Sequence, residues 1–160
     1  MSVMTGKDTA KYVEGVQADQ IQSNGIDLTI DKLFKIIGSG KILKSSVVLP
    51  EYMEISPDDN EIYSLDNGVY IFQVKEKIRV PLDAVGFCLV RSSLLRMGTH
   101  IGAALWDSGY VGFSRILLRV DNPLSIERGA RIVQLIFIRS EKKAKAGYKG
   151  RYQNEQLTKD

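Results

Sequence analysis

Residues 91–112 read RSSLLRMGTHIGAALWDSGYVG, and the fold turns on what this stretch can be. It sets Arg91 and Arg96, two planar donor forks suited to phosphate, beside the small hydroxyl donors of Ser92 and Ser93. Four glycines punctuate it, and the runs on either side are apolar and strand-like. Asp107 is the only acid between Asp83 and Asp121. A segment of this kind suits a site carried on a loop between rigid elements. A phosphate-handling site with one base is one reading. A polar turn followed by a hairpin is the other, and these residues leave both open.

The flanks indicate the architecture. Residues 85–90 are a near-continuous apolar run, expected of a strand buried on both faces. Residues 92–98 suit a single helical turn. Residues 116–120 and 132–138 read as two more buried strands, bounded by the turn signals Asp121-Asn122-Pro123 and Glu127-Arg128-Gly129. Gln134 is a lone amide in the second run, so it needs a partner in a ligand, a neighbouring chain or local backbone. Further upstream come short β-rich runs at 42–49, 52–55, 62–65, 69–74 and 77–80. They are divided by Pro50, Pro57-Asp58-Asp59-Asn60 and Asp66-Asn67-Gly68. Many short strands with such punctuation predict an all-β, antiparallel sandwich or barrel. Ile26, Leu28 and Ile30 alternate with polar residues, predicting a strand with one buried face and Asp27 turned away from the core. Residues 1–20 are polar, with a trace of helix near 9–13, and read as an arm outside the core.

At 160 residues, with 44% apolar and 26% charged content, the chain is long enough for one compact domain. Residues 1–138 make that domain with its short N-terminal arm, and 139–160 form a basic C-terminal arm. Residues 139–151 carry six basic side chains against one acid, which suits either a solvated tail or a lid that orders on an anion. The single cysteine, Cys88, lies in an apolar run and reads as a small buried residue rather than a nucleophile. A net charge of +3 is too mild to argue for nucleic acid. No apolar run approaches the roughly 20 residues of a membrane span, and no signal-peptide layout opens the chain. A soluble protein of the reducing cytoplasm is expected. There is no Cys/His cluster, P-loop or Rossmann glycine fingerprint.

Five short motifs then follow in order: GIDL (25–28), RSSL (91–94), WDSGYVG (106–112), RGARIVQLIF (128–137) and GRYQ (150–153). Together they resemble the motifs of the trimeric dUTPase and dCTP deaminase superfamily, over nearly the whole chain from Gly25. RSSLLRMG and the YKGRYQ tail are most similar to the deaminase branch, to which the archaeal-type dUTPases also belong. The resemblance implies a distorted jelly-roll-like β-barrel forming homotrimers, with active sites shared between subunits and a C-terminal arm reaching across. It implies dUTP as substrate and Mg²⁺ bridging the triphosphate, held mainly by phosphate oxygens and water. Asp107 would deprotonate the attacking water and Tyr110 would pack on the deoxyribose. Backbone groups of residues 99–104 would read uracil. Arg91, Ser92, Ser93, Arg96 and Gln134 would hold the α and β phosphates, with Tyr148, Lys149, Arg151 and Gln153 over the γ-phosphate and Asp27 in support. The deaminase branch uses a glutamate on the strand after the third motif. Its place here is Leu117, an alkyl group that cannot shuttle a proton. dCTP deamination, alone or alongside dUTP hydrolysis, and a non-catalytic nucleotide-binding trimer are the alternatives. Gly109 stands where many dUTPases have a second aspartate. Trp106 reads as a core or interface residue, and His100, the only histidine, as a surface or interface one.

Overall fold

The longest stretch of β structure is Ile26–Ile37, and in a computed structural model, which describes residues 1–155, the other long strands are built out from it. Its first half pairs with Arg131–Arg139, setting Asp27 opposite Gln134 and Leu28 opposite Val133. Its second half lies between Gly68–Val74 and Glu51–Ile55. The exchange of partners coincides with a register shift between Ile30 and Lys32, and an irregularity of this kind bends a strand into a corner. From the corner the sheet runs through Arg115–Val120 to Thr99–Gly102, while Arg131–Arg139 carries Ala84–Val90 and, at its end, Ser2–Val3. Every one of these pairings is antiparallel. The outcome is a mostly β, curled half-barrel, in keeping with the jelly-roll-like expectation.

The inner face of this sheet is the core. Leu28, Ile30, Leu33, Phe72, Leu118, Leu135 and Phe137 have no exposed surface. Each such burial contributes on the order of 1.5–3 kcal/mol, so together they account for why the sheet curls around them. The expected strands at 52–55, 62–65, 69–74, 77–80, 116–120 and 132–138 appear as Glu51–Ile55, Ile62–Leu65, Gly68–Val74, Lys77–Arg79, Arg115–Val120 and Arg131–Arg139. The helical turn appears as Ser92–Arg96.

Four expectations need correction. Asp27 is 2% exposed rather than solvated, because both faces of Ile26–Ile30 are covered. Gly25, at φ +96°, makes this possible: a Cβ there would run into the Leu135 carbonyl, so only glycine lets the two strands lie this close. Ala84–Val90 is covered on one face alone. Gly86 packs under Phe137 and Trp106, while Phe87 and Leu89 are 41% and 61% exposed. The N-terminal 20 residues belong to the core: Met4, Thr9, Val13 and Gln20 are buried, and the helix Gly6–Ala10 starts at a Thr5 cap that accepts from the Asp8 N–H. Finally, residues 42–49 make a small hairpin of Lys41–Ile42 and Val47–Val48 whose apolar side chains are all exposed. The strand Leu124–Glu127, paired with Ile62–Leu65, was hidden in the sequence by the turn signals crowding it on both sides. Among the described residues no helix is long and apolar enough to cross a membrane.

Candidate active site

The motif residues gather in two places. The first is a cavity of about 500 Å³ beside the segment that follows Thr99–Gly102. Asp107 lines it, on a turn closed by the Tyr110 N–H donating to the Asp107 carbonyl at 3.0 Å and the Gly109 N–H donating to Val80 at 3.0 Å. Trp106 is tied to Gly86 by two backbone hydrogen bonds of 2.9 and 3.1 Å and is buried, so it is a core residue with one edge on the cavity. Tyr110 forms a wall. Its hydroxyl lies 3.1 Å from Ser114 Oγ, its ring meets Tyr148 edge-on with centroids 5.9 Å apart, and burial pushes its phenol up to about 12.

The C-terminal segment closes over this cavity on its own chain. The Tyr148 N–H donates to the Ser108 carbonyl at 2.9 Å. The Gln153 side chain accepts from the Val111 N–H at 2.9 Å and donates to the Gly109 carbonyl at 3.0 Å, and the Phe113 N–H donates to the Glu155 carbonyl at 3.0 Å. Through Glu155, then, the arm expected to reach across a trimer lies against its own Ser108–Phe113 segment; residues 156–160 of that arm lie outside the described residues. Gly109 is the seat of the contact. With φ +82° and Gly147 Cα only 2.5 Å from where a Cβ would stand, no larger residue fits, which accounts for the glycine where many dUTPases carry an aspartate. Lys149 and Arg151 are exposed, Arg151 making a single 3.5 Å contact to the Val47 carbonyl.

The second place is the far end of Ala84–Val90. Arg91 Nε lies 3.1 Å from the Asp27 carboxylate, and its Nη1 donates to the Arg131 carbonyl at 3.1 Å. Arg131 stands 3.8 Å from the same carboxylate. Burial raises the Asp27 pKa, against the pull of Arg91 and Arg131. Gln134, on the neighbouring strand, donates to the Asn24 carbonyl at 2.7 Å, the local-backbone partner that was one of its three options. Ser92 and Ser93 are exposed at the start of the helix, and Arg96 folds back onto the Ser92 carbonyl at 3.0 Å. None of these residues lines the cavity around Asp107. Trp106 is bridged to Gly86, and Arg91 stands five residues further along, roughly 16 Å of backbone from that bridge.

Two charged cavity residues escaped the sequence reading. Arg115 projects beside the Phe34 and Tyr52 rings, 5.0 and 5.7 Å from their centroids, and reaches Gln73 Oε1 at 3.4 Å. Glu155 faces it from the tail at 3.7 Å. The only signal for Arg115 was a cation at a strand position otherwise given over to apolar residues. Nothing in the sequence signalled Glu155. Leu117 pairs with Gly102 and Ile71, and no acid takes its place on that strand. His100 is exposed, 3.4 Å from Asp121 and away from the cavity, and Cys88 is half-buried with its thiol pushed up to about 12 by burial, which keeps it from acting as a thiolate.

A family model described as dCTP deaminase-like matches residues 4–140. The chain belongs to the dCTP deaminase-like family. Within it, the deoxyuridine 5′-triphosphate nucleotidohydrolase of Methanocaldococcus jannaschii is 40% identical over 94% of this chain and 98% of its own. A probable deoxyuridine 5′-triphosphate nucleotidohydrolase of Aeropyrum pernix is 37% identical over 96% and 99%. Among solved structures, 2′-deoxycytidine 5′-triphosphate deaminase from Agrobacterium tumefaciens superposes with a TM-score of 0.66 at 16% identity. That match covers 84% of this chain and 48% of the deaminase, so this chain spans about half the deaminase's length and the likeness is one of fold.

Proposed function

We propose that this protein hydrolyses dUTP to dUMP and pyrophosphate. The observation that carries the reading is Asp107, a carboxylate at a nucleoside-sized cavity walled by Tyr110, on a chain whose near-full-length relatives are named for dUTP hydrolysis. In this reading Asp107 takes a proton from water. The water oxygen then attacks the α-phosphorus in line, forming a new P–O bond as the bond to the β-phosphate bridging oxygen breaks and pyrophosphate leaves. Tyr110 is buried and held by Ser114; in this reading its ring would pack on the deoxyribose and fill the space a 2′-hydroxyl would need.

Arg91, Ser92, Ser93, Arg96 and Gln134 supply forks, hydroxyls and an amide suited to phosphate oxygens. Among the described residues no group of three or more His, Cys, Asp or Glu side chains could hold a metal. Asp27, the acid nearest the phosphate group, is already paired with Arg91 and Arg131. That donor set suits Mg²⁺ carried in by the triphosphate and held by its oxygens and water, where the ion would neutralise phosphate charge.

The roughly 16 Å of strand from the Gly86–Trp106 bridge to Arg91 is longer than the reach from a nucleoside to its α-phosphate, which supports a site completed by another copy, as in a homotrimer. Phe87, Leu89, Leu95 and Met97, exposed by 41–61%, offer an apolar face for that contact. A reducing cytoplasm suits the single unreactive thiol.

Asp107→Asn tests the assignment. Pyrophosphate release should fall about 10²- to 10⁴-fold while binding of a non-hydrolysable dUTP analogue persists. Release at the wild-type rate would mean that Asp107 is not the base.

A further inference from the structure

The cavity wall is apolar but for a few groups, and two of them have no assigned task. Arg115 is held in place from three sides, by the rings of Phe34 and Tyr52 and by the fully buried amide of Gln73. A guanidinium so packed presents its remaining N–H groups in a fixed direction. Glu155 is carried in by the docked tail, anchored through its own carbonyl and the adjacent Asn154 N–H, which donates to Val111 at 2.8 Å. Its side chain is 21% exposed. Among the described residues its one charged neighbour is Arg115 at 3.7 Å, beyond hydrogen-bond reach, and burial raises its pKa. A carboxylate largely removed from water, with acceptor sites that no described residue fills, is costly to hold unless something else donates to it.

We propose that Arg115 and Glu155 form a donor–acceptor pair that reads the edge of the base, Arg115 donating to a carbonyl and Glu155 accepting from the adjacent ring N–H. A cyclic imide, the edge shared by uracil and thymine, matches the pair in either order, because its N–H lies between two carbonyls. In cytosine the ring nitrogen beside the carbonyl carries no hydrogen, so with Arg115 on that carbonyl the Glu155 carboxylate would face a lone pair. The pair therefore favours the imide class over cytosine. It gives the tail a second task beyond covering the triphosphate: the selective contact forms only when the arm is down. This rests on the cavity being the nucleoside half of the proposed dUTP site, and it adds side-chain selection to whatever backbone groups of residues 99–104 contribute.

The test is calorimetric binding of the α,β-imido triphosphates of deoxyuridine and deoxycytidine to wild type and to Glu155→Gln, which keeps the side-chain shape. Tryptic cleavage after Lys149 and Arg151 reports in parallel whether the tail stays docked. Wild type should bind the deoxyuridine analogue in preference. Glu155→Gln, with its tail still protected, should lose about 10- to 100-fold of that preference, the range expected for a hydrogen bond to a charged group. A variant that binds both analogues more weakly but in the wild-type ratio makes Glu155 only a tail anchor and overturns the proposal. So does a wild type that prefers the deoxycytidine analogue or binds neither. Pyrophosphate release from dUTP by wild type is measured separately. If it is absent while the analogue preference depends on Glu155, the hydrolase reading fails and the base reader stands. If it is present while the preference ignores Glu155, the reverse holds.

Discussion

Tyr110 couples the cavity to the stability of the fold. Burial lifts its phenol from 10.0 to about 12, so below pH 10 the folded and unfolded chains both keep the proton. Between those values the unfolded chain releases it and the folded chain does not. Stability therefore falls as pH rises through that window, by on the order of 3 kcal/mol at most. Tyr110→Phe loses the Ser114 hydrogen bond, about 1 kcal/mol, but escapes the alkaline penalty. Urea midpoints of the two proteins should thus differ near neutrality and converge as the pH is raised past 10; a constant gap would argue that the phenol is not held neutral by burial. Leu117 carries a second prediction at this scale. Deamination needs a group placed to move a proton from water to the ring and the leaving amine, and an alkyl chain on Arg115–Val120 cannot do it. Incubation with dCTP and Mg²⁺ should release no ammonia. Ammonia that disappears in Glu155→Gln would make Glu155 a proton shuttle and displace its role as a reader.

In the proposed reading, the element on which activity most depends is the tail. It is held by backbone and amide contacts to Ser108–Phe113, and its tightest seat is Gly109 against Gly147. Gly109→Ala both strains a φ of +82° and thrusts a methyl group at Gly147, so it should release the tail and open Lys149 and Arg151 to trypsin. Turnover of dUTP should drop with it, because an open lid leaves the cavity wet. Removing the chain from Ala146 onward should impair turnover as severely while leaving the melting transition close to wild type, since the last core strand, Arg131–Arg139, has already ended. Unchanged turnover in the truncated protein would reduce the tail to a solvated extension.

For the whole molecule, the question is how the two groups of site residues meet. Phe87 and Leu89 point outward from Ala84–Val90, and Leu95 and Met97 extend the same apolar surface from the helix that follows. Placing charge there, as Leu89→Asp, should lower the mass measured by light scattering to that of one chain. It should also abolish dUTP turnover without unfolding the monomer, because in the proposed reading neither group alone holds both a base and a phosphate cradle. An active single chain would show that the two groups close on one substrate within one subunit.

Much of this protein was legible in its sequence because short-range chemistry wrote it there. Alternating or continuous apolar runs and Gly, Pro and Asn punctuation located nearly all the long strands within a residue or two, since side-chain period and turn geometry are local properties. The Arg91–Ser93 and Asp107–Tyr110 residue types were equally plain. What the sequence could not settle is which faces the strands turn to one another. Asp27 read as solvated because alternation assumes one covered face, whereas the approach of Arg131–Arg139 at Gly25 and the Arg91 side chain cover the other. Residues 85–90 read as buried twice over because apolar character is the same whether a second layer comes from this chain or is left to another. The N-terminal strand Ser2–Val3 and the strand Leu124–Glu127 are held by partners far away in the chain, which no local window contains. Glu155 is the extreme case: an unremarkable acid in a polar tail, it becomes a half-buried cavity residue opposite Arg115 only because tertiary folding lays residues 144–155 across a turn 40 positions upstream.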